Sequence, residues 1–271
     1  KSPFCKKEYQ IERYSVARNK RKNNGKYRCK MCAIQDTHLG EKSHYFKNFK
    51  INHNFFNEID SEIKAYLLGV IAGDGSVGVK HVELVANTTD IETLYLFKSF
   101  VADVPMYKKS DCNCSVIKFI SRQMSSDICR HLKINSGKKS DKIILPSIEK
   151  SLLMHFIRGL MDSDGCIDNP HTSKNNYPRC FYSSTSNKII FEIMELFNNN
   201  KISSYKNGIK LFFIGINAVN FLNIIYHNAN YYLSRKKDFY DIWKTWIKYE
   251  GTIIRPSKRK RKELDAKLLC H

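Results

Sequence analysis

Two short segments of this chain end in the same way, and that likeness constrains the fold more than any other feature. Leu67-Leu68-Gly69-Val70-Ile71-Ala72-Gly73-Asp74-Gly75 and Ile157-Arg158-Gly159-Leu160-Met161-Asp162-Ser163-Asp164-Gly165 each carry a small residue four positions after a glycine, and each finishes on Asp-Gly. A spacing of four puts Gly69 and Gly73 on one face of a helix, and Gly159 and Ser163 on one face of another. Glycine inside a helix costs about 1 kcal/mol relative to alanine, so two such helices call for a compensating contact. Small residues supply it by letting two backbones approach closely. The pair predicts parallel helices packed side by side, with Asp74 and Asp164 emerging together at ends where helix carbonyls favour cations. Gly75 and Gly165 are expected to provide left-handed C-terminal turns.

The two segments belong to a longer duplication. Apolar helices are expected at Ala65 to Ala72 and Leu152 to Met161, with Asp60, Ser61 and Ser147 available as N-caps. After each comes a strand-like stretch and then a polar cluster that leads into a helix. These are Thr88-Thr89-Asp90 before Ile91 to Phe100, and Ser184-Thr185-Ser186 before Ile189 to Phe197. A second strand pair ends in Val116 to Ile120 and in Lys210 to Ile214, followed by helices at Asp127 to Leu132 and Ala218 to Ile225. Two copies are too few for a solenoid, so the natural packing is a pseudo-dimer around the apolar helices. A last amphipathic helix has Phe239, Ile242, Trp243, Trp246 and Ile247 at core spacing, ahead of a basic tail at Arg255 to Lys262. The expected organisation is a basic, cysteine-containing segment at 1–58, subdomains at 59–147 and 148–250, and the tail at 251–271.

Charge narrows the partner. The 271 residues hold 46 Lys plus Arg against 26 Asp plus Glu, a net charge of +20. That excess exceeds what solubility needs and points to a polyanion, most simply nucleic acid. A hydrophobic content of 42% supports a real core and excludes a disordered basic tail. The sequence shows no apolar run of about 18 residues and no leader pattern, so it reads as soluble, with no membrane partner. Nine cysteines, an odd number, argue for an intracellular reducing compartment rather than a disulfide framework. The chain opens at Lys1 without methionine, as an excerpt would.

Paired carboxylates beside backbone carbonyls make a hard-oxygen site suited to Mg²⁺ and to metal-assisted phosphodiester hydrolysis. The expected donors are Asp74 and Asp164 with the carbonyls of Gly73 and Ser163. A lone Asp-Gly is a common turn. Two of them, each after Gly-x-x-x-small and each opening an equivalent unit, are a motif pair.

With these residues the sequence resembles the LAGLIDADG homing endonucleases in their single-chain, double-motif form, over Asp60 to Lys248. The segment from Ile224-Ile225-Tyr226 through Tyr231-Tyr232-Leu233-Ser234-Arg235-Lys236 resembles that family too. The resemblance implies an α+β fold of tandem, pseudo-two-fold αββαββα repeats, with two saddle-like antiparallel sheets lying along the DNA major groove. It implies that Asp74 and Asp164 bind two or more Mg²⁺ ions and that a monomer cuts both strands, leaving short 3′ overhangs. Ala72 departs from the family pattern, and Asp162 stands at the matching place as a helix-packing or capping carboxylate. Family members also place a lysine near each metal. Lys142 and Lys236 occupy matching places, with Lys139 and Lys237 as competitors and, otherwise, as DNA contacts.

Bases would be read by outward side chains of the strands. Candidates in the first half are Lys80, His81, Glu83, Tyr107, Lys108, Lys109 and Ser110, with Lys118 on phosphate or bases. In the second half they are His171, Lys174, Asn175, Asn176, Arg179, Tyr205, Lys206 and Asn207, with Lys210 in the role of Lys118. A slip of one residue in strand phase reverses these faces.

Near the start, Cys29-Lys30-Met31-Cys32 forms a Cys-x-x-Cys knuckle with Cys5 upstream, and Ser2 stands where a further thiol would be needed. Structural Zn²⁺ would then take Cys5, Cys29, Cys32 and a fourth ligand from His38, His44 or a residue upstream. The alternative is unliganded thiols on a basic arm, and in either case the segment is expected to extend the DNA footprint. Two further readings use the same scaffold: an intron maturase that binds RNA, and a non-cleaving regulator of transcription. Retention of both motif acids argues against either, and the short flanks leave little room for an intein's splicing domain.

Overall fold

The computed structural model describes residues 49–109, 112–137, 141–173 and 177–245. The zinc-ligand candidates Cys5, Cys29, Cys32 and His38, the DNA candidates Ser110, Lys139, Lys174, Asn175 and Asn176, and the basic tail lie outside the described residues.

The first half runs α1 (Glu62–Asp74), β1 (Gly75–Val77), β2 (His81–Asn87), α2 (Glu92–Phe100), β3 (Tyr107–Lys108), β4 (Cys114–Ile120) and α3 (Arg122–Leu132). The second runs α4 (Lys150–Asp164), β5 (Gly165–Ile167), β6 (Arg179–Ser183), α5 (Asn187–Asn198), β7 (Tyr205–Asn207), β8 (Lys210–Ile214) and α6 (Ile216–Tyr226), and α7 (Ser234–Lys244) closes the chain's described part. The strands form two antiparallel sheets, ordered β1-β2-β4-β3 and β5-β6-β8-β7. This is αββαββα twice, as the duplication in the sequence predicts.

Alternation along the strands explains the layers. In β2, Val82, Leu84 and Ala86 are buried while His81, Glu83 and Val85 turn to the other face. Cys180 and Tyr182 in β6 and Leu211 and Phe213 in β8 repeat the pattern. Helices cover the inner faces: Phe97 of α2 meets Phe119, and Phe197 of α5 and Phe221 of α6 both pack on Phe213.

The polar clusters act as caps. Asn87 accepts from the Thr89 amide, Ser121 from Met124 and Ser186 from Ile189, each satisfying an orphan donor at a helix start. The motif helices differ from expectation here. Ser61 occupies the N-cap of α1 without a side-chain cap bond. The N-cap of α4 is Glu149 rather than Ser147, because Ser147 is consumed in a tight turn closed by the Ile148 amide on the Pro146 carbonyl. The core face of α7 also shifts. Leu233, Lys236, Tyr240 and Trp243 are buried, while Phe239 and Ile242 are half-buried. Trp246 and Ile247 lie outside the described residues.

The motif helices meet through their glycines. A Cβ on Gly69 would stand 2.1 Å from the Phe156 carbonyl oxygen, and one on Gly159 would stand 2.2 Å from that of Tyr66. One turn further, a Cβ on Gly73 would lie 2.0 Å from Ser163 Oγ. The order of contacts, 69 with 156 and 159, then 73 with 163, makes α1 and α4 parallel. Gly75 and Gly165 correct the expectation of left-handed turns: their φ values are −84° and −93°, in extended backbone. Glycine is needed there for closeness, since a Cβ would sit 2.6 Å from the Ile71 carbonyl in one case and 2.5 Å from the Met161 carbonyl in the other.

Each half also reaches into the other. The Leu145 amide donates to Glu192 of α5 at 2.8 Å, and Ser186 donates to the Ile143 carbonyl at 2.7 Å. Reciprocally, the Ser234 amide and hydroxyl donate to Glu92 of α2 at 2.6 and 2.7 Å, and Arg235 pairs with Asp90 at 3.0 Å.

Candidate functional site

Asp74 and Asp164 are the last residues of parallel helices, and both side chains are exposed. Asp164 leans toward the partner helix: its Oδ2 lies 3.1 Å from where a Cβ on Gly73 would be. The packing that requires glycine at 73 thus brings the second acid to the end of the first helix. Behind it, burial raises the Tyr182 phenol, a hydrogen bond from Ser184 works the other way, and the charge of Asp164 adds to the rise. A small crevice beside Asp74 is lined by Val70, Asn87, Asp90, Thr93 and Ser163.

Lys236 is not where the sequence reading puts it. Its side chain is buried and its ammonium donates to the carbonyls of Met161 at 2.5 Å, Asp162 at 2.8 Å and Gly165 at 2.7 Å. An ammonium has three N–H donors, and these three bonds use them all. Lys236 therefore caps the C-terminal end of α4, where cations are favoured, and has no donor left to order water or meet a phosphate. Lys142 is exposed.

Beneath the acids lies a polar network that the sequence reading did not anticipate as a unit. Asp162 accepts from Tyr66 at 3.0 Å, from the Leu233 amide at 2.8 Å and from Tyr226. Burial raises its pKa above the ordinary carboxylate range, against the pull of the Lys236 charge. Its role is packing, and its three donors come from α1, α6 and the start of α7. Arg158 is fully buried and donates to Glu62, to the Ile225 carbonyl and to the Tyr231 carbonyl at 2.7 to 2.8 Å. The visible signal was a guanidinium inside the apolar run from Leu152 to Met161, which needs buried partners.

Strand register sorts the expected base readers. Directly opposed residues share a face. Lys108 opposes Ser115 and Lys206 opposes Leu211, so both point to the inner, helix-covered side and not to the outer face; Lys206 lies 5.7 Å from the Phe191 ring of α5. This corrects their placement by one residue of phase. His81, Tyr107 and Lys118 lie on the outer face of the first sheet, and Arg179, Tyr205 and Lys210 on that of the second. Lys80 sits in the turn between β1 and β2, and His171 in a turn after β5.

Several of these cations already have partners. Lys118 pairs with Glu83 at 2.7 Å, with Lys109 at 3.8 Å on the other carboxylate oxygen, and the Lys118 hydrogen bond holds Glu83 below its usual range. Arg179 pairs with Asp168 at 3.0 Å. Lys237 pairs with Asp241 on the surface of α7 at 2.5 Å. Among the described residues no three His, Cys, Asp or Glu side chains gather as a metal cage, and no helix is long and apolar enough to cross a membrane.

No protein-family model and no curated protein matches the chain. Solved structures do. The I-LtrWI LAGLIDADG homing endonuclease bound to target DNA aligns at a TM-score of 0.47 and 15% identity, over 77% of this chain and 97% of that one. I-SmaMI bound to an uncleaved DNA target in the presence of calcium ions aligns at 0.48 and 10%, over 74% and 96%. The N-terminal LAGLIDADG domain of DUF199/WhiA aligns at 0.40 and 17%, over 69% and 92%. The solved structures to which this chain is similar are thus LAGLIDADG proteins, among them homing endonucleases bound to DNA.

Proposed function

We propose that this chain is a monomeric, site-specific DNA endonuclease that uses divalent metal to cut both strands and leave short 3′ overhangs. The observation that carries the reading is the glycine-mediated crossing of α1 and α4, which sets two exposed acids at one place between two sheets. A net charge of +20 supplies the attraction for a duplex.

The donor set fits Mg²⁺. That ion keeps several waters and is usually held by one or two carboxylates together with substrate phosphates, rather than by a full protein cage. Asp74 and Asp164, with the carbonyls of Gly73 and Ser163, would hold it. When bound, the metal supplies positive charge to the scissile phosphate and lowers the pKa of bound water. The chain's own residues do the rest. Gly69 and Gly159 fix the spacing of the two helix ends, Lys236 locks the turn from which Asp164 projects, and Lys142, exposed, would offset phosphate charge. Lys80, His81, Lys118, Arg179 and Lys210 face the duplex from the two sheets.

The test is a cleavage selection from a randomised duplex library with Mg²⁺, with the Asp74→Asn/Asp164→Asn protein as control. A recurrent sequence cut on both strands by the unaltered chain alone is the expected result. Equal recovery with the doubly altered chain, or binding without any cutting, would refute the assignment.

A further inference from the structure

The two sheets offer DNA different chemistry at equivalent places. On the outer face of the second sheet, Cys166 opposes Phe181, Phe181 opposes Phe212, and Phe212 opposes Tyr205, a single row across all four strands. The Phe181 and Phe212 rings are 5.2 Å apart, and Tyr205 lies 5.1 Å from Phe212 in a stack tilted by 11°. Both phenylalanines are half-buried and Tyr205 is 47% exposed. The pseudo-two-fold equivalent in the first sheet is Ser76, Glu83 and Lys118, whose last two members form the 2.7 Å ion pair. One row is aromatic where the other is ionic.

An open aromatic row calls for a covering partner, and its surroundings say which. Lys210 Nζ stands 4.3 Å from the Phe181 ring centroid, and Arg179, paired with Asp168, lies on the same face. An apolar strip flanked by cations on a chain of this charge suits a polyanion with an apolar feature along its groove. In the major groove of DNA that feature is the thymine methyl; the other base edges present donors and acceptors. Those groups would lose water against phenylalanine and gain no partner. The geometry points to the second sheet reading its half of the target through thymine methyl groups, while the first sheet reads the other half through charged and polar side chains. This inference rests on the duplex-binding part of the reading above.

The test separates binding from cutting. The full chain is used to select bound duplexes from a randomised library, and the selection is repeated with Phe181→Ser/Phe212→Ser. The half-site whose preference changes belongs to the second sheet, and it should be rich in A·T pairs. Deoxyuridine is then placed for thymidine in each half in turn, and dissociation constants are measured by fluorescence anisotropy. Loss of a buried methyl should weaken binding about fourfold at each contacted position in that half, and leave the other half unchanged. Phe212→Leu, which stays apolar, should keep the dependence. Indifference to deoxyuridine, a G·C-rich half-site, or preference for single-stranded RNA over duplex would overturn the inference. A chain that binds with methyl dependence but never cuts would sink the nuclease reading and leave this one standing.

Discussion

Tyr66 on α1 donates its hydroxyl to Asp162 on α4 across 3.0 Å, and the pseudo-symmetric place on α1 is Ala72, whose methyl side chain offers no carboxylate in return. The contact between the motif helices is thus symmetric in its glycines and one-sided in its polar chemistry. Asp162→Ala would strand two tyrosine hydroxyls, the Leu233 amide and the Lys236 charge. We expect a loss of about 3–5 kcal/mol, the scale for breaking a buried charge pair, measured by urea denaturation. Because burial raises the Asp162 pKa, the folded chain holds that proton more tightly than the unfolded one. Its contribution to stability therefore falls as pH rises from the ordinary carboxylate range through the folded value. Asp162→Asn should remove that slope.

The helix crossing leaves no space for a methyl group. Gly69→Ala would drive Cβ into the Phe156 carbonyl, so we expect a loss of at least about 3 kcal/mol in chemical denaturation. Gly73→Ala meets the flexible side of the same contact, Ser163 Oγ and Cβ. Combining Gly73→Ala with Ser163→Gly should restore much of the loss, a coupling of at least about 1 kcal/mol in a double-mutant cycle. Additive effects would show that the two residues do not compete for one space.

Acid should loosen the junction of α1, α4 and α6. For His155, burial and the Arg158 charge lower the pKa, so the unfolded chain binds that proton first as pH falls. For Glu62, burial opposes the charge, but the bonds from Asn230 and the charge of Arg158 outweigh it and the pKa is lowered. Both signs agree: stability is present at neutral pH, begins to fall below the usual histidine value near 6.5, and falls further below the usual glutamate value near 4.5. Thermal unfolding followed by circular dichroism from pH 7 to 4 should show two descending segments. Glu62→Gln should flatten the lower one.

Lys236→Met would leave three buried carbonyls without their donor, and we expect a stability loss of about 3 kcal/mol or more. Lys236→Arg should not rescue it, since a planar fork cannot replace a compact ammonium aimed at three converging oxygens. If Lys236→Met kept full stability while losing only cutting, the capping role would be wrong and the catalytic one restored.

Asp74→Asn and Asp164→Asn, taken singly, should each lower double-strand cutting by at least about a hundredfold, the scale on which one electrostatic stabiliser acts. Chelation should abolish cutting and leave the unfolding midpoint of the two-repeat core nearly unchanged, because glycine-mediated packing holds α1 against α4. Loss of the fold on chelation would contradict that.

Much of this architecture can be read from residue order. The repeated glycine spacing and Asp-Gly ends predict the parallel helices, because close approach leaves a direct mark on side-chain size. The Ser/Thr clusters predict helix starts, though the caps are Asn87 and Ser186 only once backbone geometry is known. What stays illegible is what depends on three dimensions. Gly75 and Gly165 look like left-handed caps, yet serve in extended backbone against their own helix. Lys108 and Lys206 miss the outer faces by one step of strand phase. The fate of Lys236 is set by carbonyl groups, which are common to every residue and leave no trace in the alphabet of side chains.

The reciprocal clasp, in which Glu192 holds Leu145 and Glu92 holds Ser234, ties competence to completeness. A polypeptide broken off after its first repeat would carry one acid, a bare glycine furrow and an unanswered carboxylate at Glu92. Such a fragment would lack the partners of both the furrow and Glu92, so the emerging polypeptide closes its clasp only once α7 has been made.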